Sequence, residues 1–320
     1  MSEMTDIIAL GELLADLTAC GSNEDGFPVL SAHPGGAPAN FLAAAAADGS
    51  WTAMIGKVGD DVFGRLLTEQ LRIRGIDVSG VQADPSVFTT LAFVTVDGNG
   101  DRTFSFARRP GADTCLKPEE LDLSMIRQAR LFHFGTLSLT DEPSASATRV
   151  AAAEARKHGV LISVDPNYRP ALWPDEDSAR SAMEWALRQA DIVKISDEEV
   201  SFLWGLAPEE GAGRLLEEYG VSLAFVTLGS RGCHAANRRA SVTLSVPHGL
   251  IPVDTTGAGD IFCGTAISRL LRRNVRPEEL GRDELEEIVR YAHAAAALSV
   301  TRPGGMGSVP APGEVLSLLR

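Results

Sequence analysis

Several things are scarce in this chain of 320 residues, and each scarcity narrows what it can be. Only four cysteines occur (Cys20, Cys115, Cys233 and Cys263), none in a CxxC pair or at metal-site spacing. That scatter argues against a disulfide framework and against a structural zinc site. No apolar run approaches the roughly 20 residues of a membrane-spanning helix. The opening MSEMTD lacks the basic-then-apolar order of a secretory signal, so a reducing, cytoplasmic setting is expected. Basic residues number 29 against 43 acidic ones, the net charge is −14, and no basic block is present. Such a chain is a poor partner for nucleic acid or an anionic membrane. Lysine is scarcer still, with four in all: Lys57, Lys117, Lys157 and Lys194. Any phosphate or carboxylate site must therefore lean on arginine and backbone N–H groups.

What is present is an ordinary globular balance, 44% apolar and 22% charged. Short apolar runs alternate with helical patterns. Residues 6–11, 51–56, 131–135, 160–165, 191–196 and 223–229 read as buried strands. Helices are expected over 38–48, 62–74, 144–158, 178–190, 197–204, 210–219, 259–273, 284–300 and 313–319. Strands separated by helices of this length predict βαβ units and a parallel sheet. Two stretches break the rhythm. Residues 88–96 and 102–107, joined by DGNGD, read as a hairpin in a small separate sheet, and 234–237 with 241–246 as a second hairpin.

The segment VDTTGAGDIFCGTAISRL, residues 253–270, carries the most chemistry. A strand end runs into Gly257, Ala258 and Gly259, then Asp260, then an apolar-periodic helix. Small residues let backbone approach a ligand, and amides at a helix N-terminus favour an anion. Asp260 would stand as a carboxylate beside that anion pocket, although an aspartate near a helix start also has a purely structural use. Neither common phosphate loop fits. Gly56-Lys57 is followed by Val58 and lacks the earlier Walker glycine, and Phe262 stands where a Rossmann loop needs its third glycine. A second glycine pair, Gly35 and Gly36 in HPGGAPANF, precedes the alanine-rich helix, with Asn40 offering both a donor and an acceptor. Asp16, just past the first strand, lies where ligands bind in open α/β sheets.

GGAPAN, GKVGDDVFG, TLGSRG and DTTGAGD, in this order and spacing, resemble the ribokinase-like (PfkB-type) carbohydrate kinase family over nearly the whole chain. GELLADLT, FHFGTLSLTDEP, DPNYRPALWP, KISDEE and RPGAD look most like its fructokinase branch. Leu42 departs from the family's preference for a small residue there. The resemblance implies one kinase domain over 1–320 with a three-layer α/β/α fold, a mostly parallel central sheet, and a β lid from about 12–30 and 87–108. It implies Asp260 as the catalytic base and Gly257, Ala258 and Gly259 as the anion hole. Asp16, Gly35, Gly36 and Asn40 match sugar-binding positions, Glu142 an acidic residue near the sugar or magnesium network, and Arg169 and Arg108 residues that reach phosphates. The adenine pocket maps to Thr227, Gly229, Gly232 and His293. Glu199 closes an NxxE element in which Ser196 replaces asparagine. Asp254, Thr256, Ser299, Arg302, Gly304 and Ser308 match a monovalent-cation site. The implied reaction is phosphorylation of a ketohexose by ATP with Mg2+ and a role for K+, with D-fructose to fructose 6-phosphate as the expected case and a homodimer formed through the lid. A kinase for 2-keto-3-deoxygluconate, ribose or a nucleoside, and an idle sugar or nucleotide sensor, are the alternatives.

Overall fold

Four consecutive apolar residues with no polar face suit a strand covered on both sides. The structure, a computed structural model that describes residues 5–96 and 102–320, places β1 (Ile7–Leu10) in that position. There follow β2 (Leu14–Ser22), β3 (Pro28–Gly35), α1 (Ala37–Ala47), β4 (Thr52–Gly59), α2 (Val62–Ile73), β5 (Asp77–Asp84), β6 (Leu91–Val96) and β7 (Arg102–Ala107). The chain continues with α3 (Leu123–Arg127), β8 (Leu131–Gly135), α4 (Ser144–Lys157), β9 (Leu161–Asp165), α5 (Glu176–Gln189), β10 (Ile192–Ser196), α6 (Asp197–Trp204) and α7 (Pro208–Glu218). It ends with β11 (Leu223–Thr227), β12 (Cys233–Ala236), β13 (Ser241–Leu244), α8 (Ala258–Arg273), α9 (Arg282–Ser299) and α10 (Pro312–Leu318).

The large sheet has nine strands in the order β13-β12-β11-β10-β9-β8-β1-β4-β5. It is parallel from β11 to β5, and the β12–β13 hairpin extends it antiparallel at the other edge. Alternate side chains of each strand face opposite sides. Ile8, Leu10, Phe132 and Val164 pack against α4 to α7, while Ile7, Ala9, Leu131 and Phe225 pack against α1, α2, α8 and α9. Two apolar cores thus sandwich the sheet in the predicted three layers.

A second sheet, in the order β3-β2-β6-β7, stands apart. β2 starts just past the end of β1, which puts this sheet beside the carboxyl ends of the parallel strands. Its strands cover the expected small-sheet stretches, but β3 reaches Gly35, so the boundary at residue 30 cut it short. The expected strand at 88–96 begins only at Leu91, and its DGNGD connection lies outside the described residues. β4 runs on to Gly59. β5 is a strand without a sequence signal, because a largely polar edge strand with Gly80 in its middle has little apolar alternation.

Candidate active site

The site forms where α1 and α8 start. The two helices pack closely because Gly264 has no side chain: a Cβ there would lie 2.1 Å from the Phe41 carbonyl oxygen. Gly36, at φ 109°, turns the chain from β3 into α1, and a Cβ on it would meet the Glu12 carbonyl oxygen at 2.3 Å. Gly257, left-handed at φ 77°, opens α8 in the same way. Between these starts and the small sheet lies a cavity of about 370 Å³. Gly257, Ala258, Gly259 and Asp260 line it from α8, Gly36 and Asn40 from α1, Asp16 from β2 and Phe106 from β7.

Asp260 is held from one side by Asn40, whose Nδ2 donates to Oδ2 at 2.9 Å. Burial pushes its pKa up to about 6; Asp165 adds to the rise, while Asn40, Lys194 and Arg169 oppose it. A carboxyl with that value is largely ionised at neutral pH, yet basic enough to take a proton. Asp16 is raised to about 7 by burial, then by Asp254 and Asp260, with Arg169 opposing. Its carboxylate occupies the space that a side chain on Gly35 would need: a Cβ there would lie 2.2 Å from Oδ2. Glu12, unmarked in the sequence, also lines the cavity. It accepts from Ala37 N at 2.8 Å, which fixes the first turn of α1. Burial raises it to about 7, against hydrogen bonds from its own amide and that of Ala37.

Lys194, in the middle of β10, also lines the cavity; it is the first residue of KISDEE, but the motif by itself assigns it no role. Its Nζ lies 2.9 Å from Asp165 Oδ2, and both side chains are buried. Burial alone would lower its pKa, but Asp165, Glu199 and Asp260 outweigh it and hold it raised. The available signal was a lysine in an otherwise apolar buried strand in a lysine-poor chain.

Of the other expected residues, Arg169, Thr256 and Glu199 line the cavity. Glu199 has both oxygens committed, Oε1 to Tyr168 N at 2.7 Å and Oε2 to Ser196 N at 2.8 Å. It is the far half of the capping box that starts α6, which accounts for the sequence match without a metal. Glu142 is not in the cavity: it is exposed and accepts from Ser146 N in the first turn of α4, the ordinary use of an acid at a helix start. Arg108 is also diverted. It is buried, with Nε on Asp113 at 2.8 Å, NH1 on Thr140 at 2.7 Å and NH2 on the Leu137 carbonyl at 2.9 Å. It braces the wall that Leu137 contributes to the cavity.

Thr227 ends β11, Gly229 and Gly232 follow it, and His293 lies in α9, all outside this cavity. Gly232, at φ 118°, would put a Cβ 1.9 Å from the Leu244 carbonyl oxygen, so packing alone demands glycine there. His293 is buried beside Phe262 and lowered to about 4 by burial, hence neutral. Asp254 joins two loops: Oδ1 accepts from Thr256 N at 2.8 Å and Oδ2 from Gly304 N at 2.9 Å. Ser299 and Ser308 turn their hydroxyls to the Ala296 and Gly305 carbonyls. The Arg302 side chain pairs with Glu314 at the surface, so only its backbone can serve a cation.

Among the described residues, no three His, Cys, Asp or Glu side chains are grouped as a metal centre. The donor set instead fits a polyanion: helix-terminal amides, side-chain-free Gly257 and Gly259, Lys194 and Arg169. Magnesium usually keeps several waters and is carried on substrate phosphates, so a site of this kind needs no protein cage.

The profile described as pfkB family carbohydrate kinase matches residues 4–312. Fructokinase-1 of Oryza sativa subsp. japonica is 41% identical over 320 residues, covering 98% of this chain and 97% of that protein. A fructokinase with bound ATP from Xylella fastidiosa superposes with a TM-score of 0.89 at 30% identity, covering 98% of each chain. A fructokinase from Vibrio cholerae O395, solved with fructose, ADP and calcium ion bound, superposes at 0.86 with 30% identity and 99% of each chain.

Proposed function

The chain belongs to the pfkB family of carbohydrate kinases, and from that premise we propose that it transfers the γ-phosphoryl group of ATP to the 6-hydroxyl of D-fructose. It is a carbohydrate kinase of fructokinase type with the ribokinase-like fold. The observation that carries the acceptor reading is the Asn40–Asp260 pair at the start of α8, in one cavity with Asp16. The Asp260 carboxylate takes the proton of the sugar hydroxyl as the sugar oxygen bonds to the γ-phosphorus. The bond from that phosphorus to the bridging oxygen breaks, and ADP leaves. The amides of Gly257 to Asp260 hold the charge on the transferring group, and a base typically supplies about 10²–10⁴-fold. Magnesium, carried on the phosphates, supplies charge neutralisation.

The sugar side supports a neutral polyol. Asp16, Glu12 and Asn40 face the cavity there, and Arg108 is spent on Asp113, which leaves exposed Arg169 as the cation acting on Asp16. Asp260→Ala should lower kcat by at least about two decades with modest change in sugar binding. Near-normal turnover would remove the base assignment. A panel of sugars in a coupled ADP assay should rank D-fructose first; ADP release no faster than with water for every sugar would favour a sensor.

Three further points belong to the same proposal. The loops tied by Asp254 offer carbonyls for a potassium ion, and equal rates in potassium and in a bulky organic cation would remove that role. The small sheet closes over the sugar as a lid and pairs with a second copy through exposed Phe27 (66%) and Leu30 (43%); sedimentation of Leu30→Asp should show a monomer. A cytoplasmic setting agrees with four free cysteines.

A further inference from the structure

We infer that Lys194 is a positioning residue of the phosphoryl-transfer site, a fixed cation under the first turn of α8 that keeps Asp260 ionised at neutral pH. The inference rests on the reading of Asp260 as the base. Its geometry is independent of any ligand. Lys194 stands on β10, is 7% exposed, and lines the cavity. Its ammonium group abuts α8 so closely that a Cβ on Gly259 would lie 3.1 Å from Nζ. A side chain at 259 would press on the ammonium group and displace it by a few tenths of an ångström, so glycine there lets the lysine sit close under the helix start. Asp165, at the end of β9, takes one N–H at 2.9 Å and orders the ammonium.

The electrostatics follow from this placement. Asp260 is faced by Asp165 from β9, Lys194 from β10, Asn40 from α1, Asp16 from β2 and Arg169 from the loop after β9, with Cys263 on its own helix. Glu199 from α6 and neutral His133 from β8 face Lys194. Arg169 is exposed to solvent, which screens it, so Lys194 is the buried cation of the group. Asp165 and Lys194 act on Asp260 with opposite sign: the carboxylate raises its pKa and the ammonium lowers it. This separates an electrostatic role from a purely structural one. A pair needed only for folding would make its two single variants fail alike.

The test uses Lys194→Met and Asp165→Asn in the full chain, with the acid limb of kcat/KM and a carbon NMR titration of the Asp260 carboxyl, assigned with Asp260→Asn. An opposite charge close to a carboxyl typically lowers its pKa by about 1–3 units. Lys194→Met should raise the acid limb and the NMR titration by about one unit or more, and higher pH should restore part of its lost rate. Asp165→Asn, which still offers an oxygen to the ammonium, should lower both. Coincidence of the Lys194→Met limb with the wild type, or shifts of the same sign in both variants, overturns the inference. If Lys194→Met does not fold, Lys194→Gln takes its place: an upward shift of both readouts supports the inference, and no shift or a downward one overturns it. Should Asp260→Ala keep its turnover, the base reading fails by itself, and the NMR shifts still decide whether Lys194 sets the charge of Asp260.

Discussion

Two buried ion pairs in this molecule look alike and do different work. Arg108–Asp113 and Lys194–Asp165 both close at under 3 Å, and each couples a cation to an acid in the interior. In the first, every arm of the guanidinium is consumed by Asp113, Thr140 or the Leu137 carbonyl, and Thr90 completes Asp113. In the second, the cation itself lines the cavity and faces Glu199 and Asp260, whereas Arg108 and Asp113 lie behind the wall and act on Glu12 with opposite signs. A saturated pair holds structure, whereas a pair with one end at a cavity projects its field into the chemistry. Charge and burial alone do not separate the two cases; what lies on the far side of the cation does.

That contrast can be broken by substitution. The largest effect is expected from Arg108→Met, which strands Asp113 in the interior and should cost about 3–5 kcal/mol in urea unfolding. The folded fraction should keep the wild-type acid limb; a displaced limb would erase the distinction from Lys194. A smaller, pH-dependent effect is expected from Asp16→Asn. Asp16 has its folded pKa raised to about 7 from an ordinary 3.8. Its contribution to stability is therefore full below about pH 4 and lost as pH rises through 7. Ligand-free Asp16→Asn should melt above the wild type at pH 8, and the gap should close toward pH 4. A gap of the same size at both values would show that charge is not its source. The smallest change is expected from Arg302→Ala. Its pair with Glu314 is about 40% exposed on each side, and such surface pairs contribute about 0–1 kcal/mol. Its potassium response should equal the wild type's, because only the backbone at 302 is offered to a cation.

The layered fold was legible because apolar runs of four to six residues, each followed by a helical pattern, leave few alternatives. The α8 start was legible for a local reason: Gly257, Ala258, Gly259 and Asp260 are adjacent in sequence, so the turn and its carboxylate are read together. Glu12, Asp165 and Lys194 were not. Each lies in a stretch that resembles the family (GELLADLT, DPNYRPALWP, KISDEE), but each acts through a partner on another element, and residue type alone does not show that Asp165 meets Lys194. Glu142 and Arg108 are the opposite case. Glu142 lies in FHFGTLSLTDEP and Arg108 just before RPGAD, but one accepts from the first turn of α4 and the other is bonded to Asp113, Thr140 and the Leu137 carbonyl, and residue type does not reveal how a side chain's hydrogen-bonding groups are spent.

The Asp16 carboxylate fills the space that a methyl group would take at Gly35. An alanine at 35 would remove no functional group and break no hydrogen bond, yet it would evict the acid from its seat. Part of the shape of this cavity is thus encoded as a missing atom. What places an acid at its wall includes a side chain that is absent as well as those that are present.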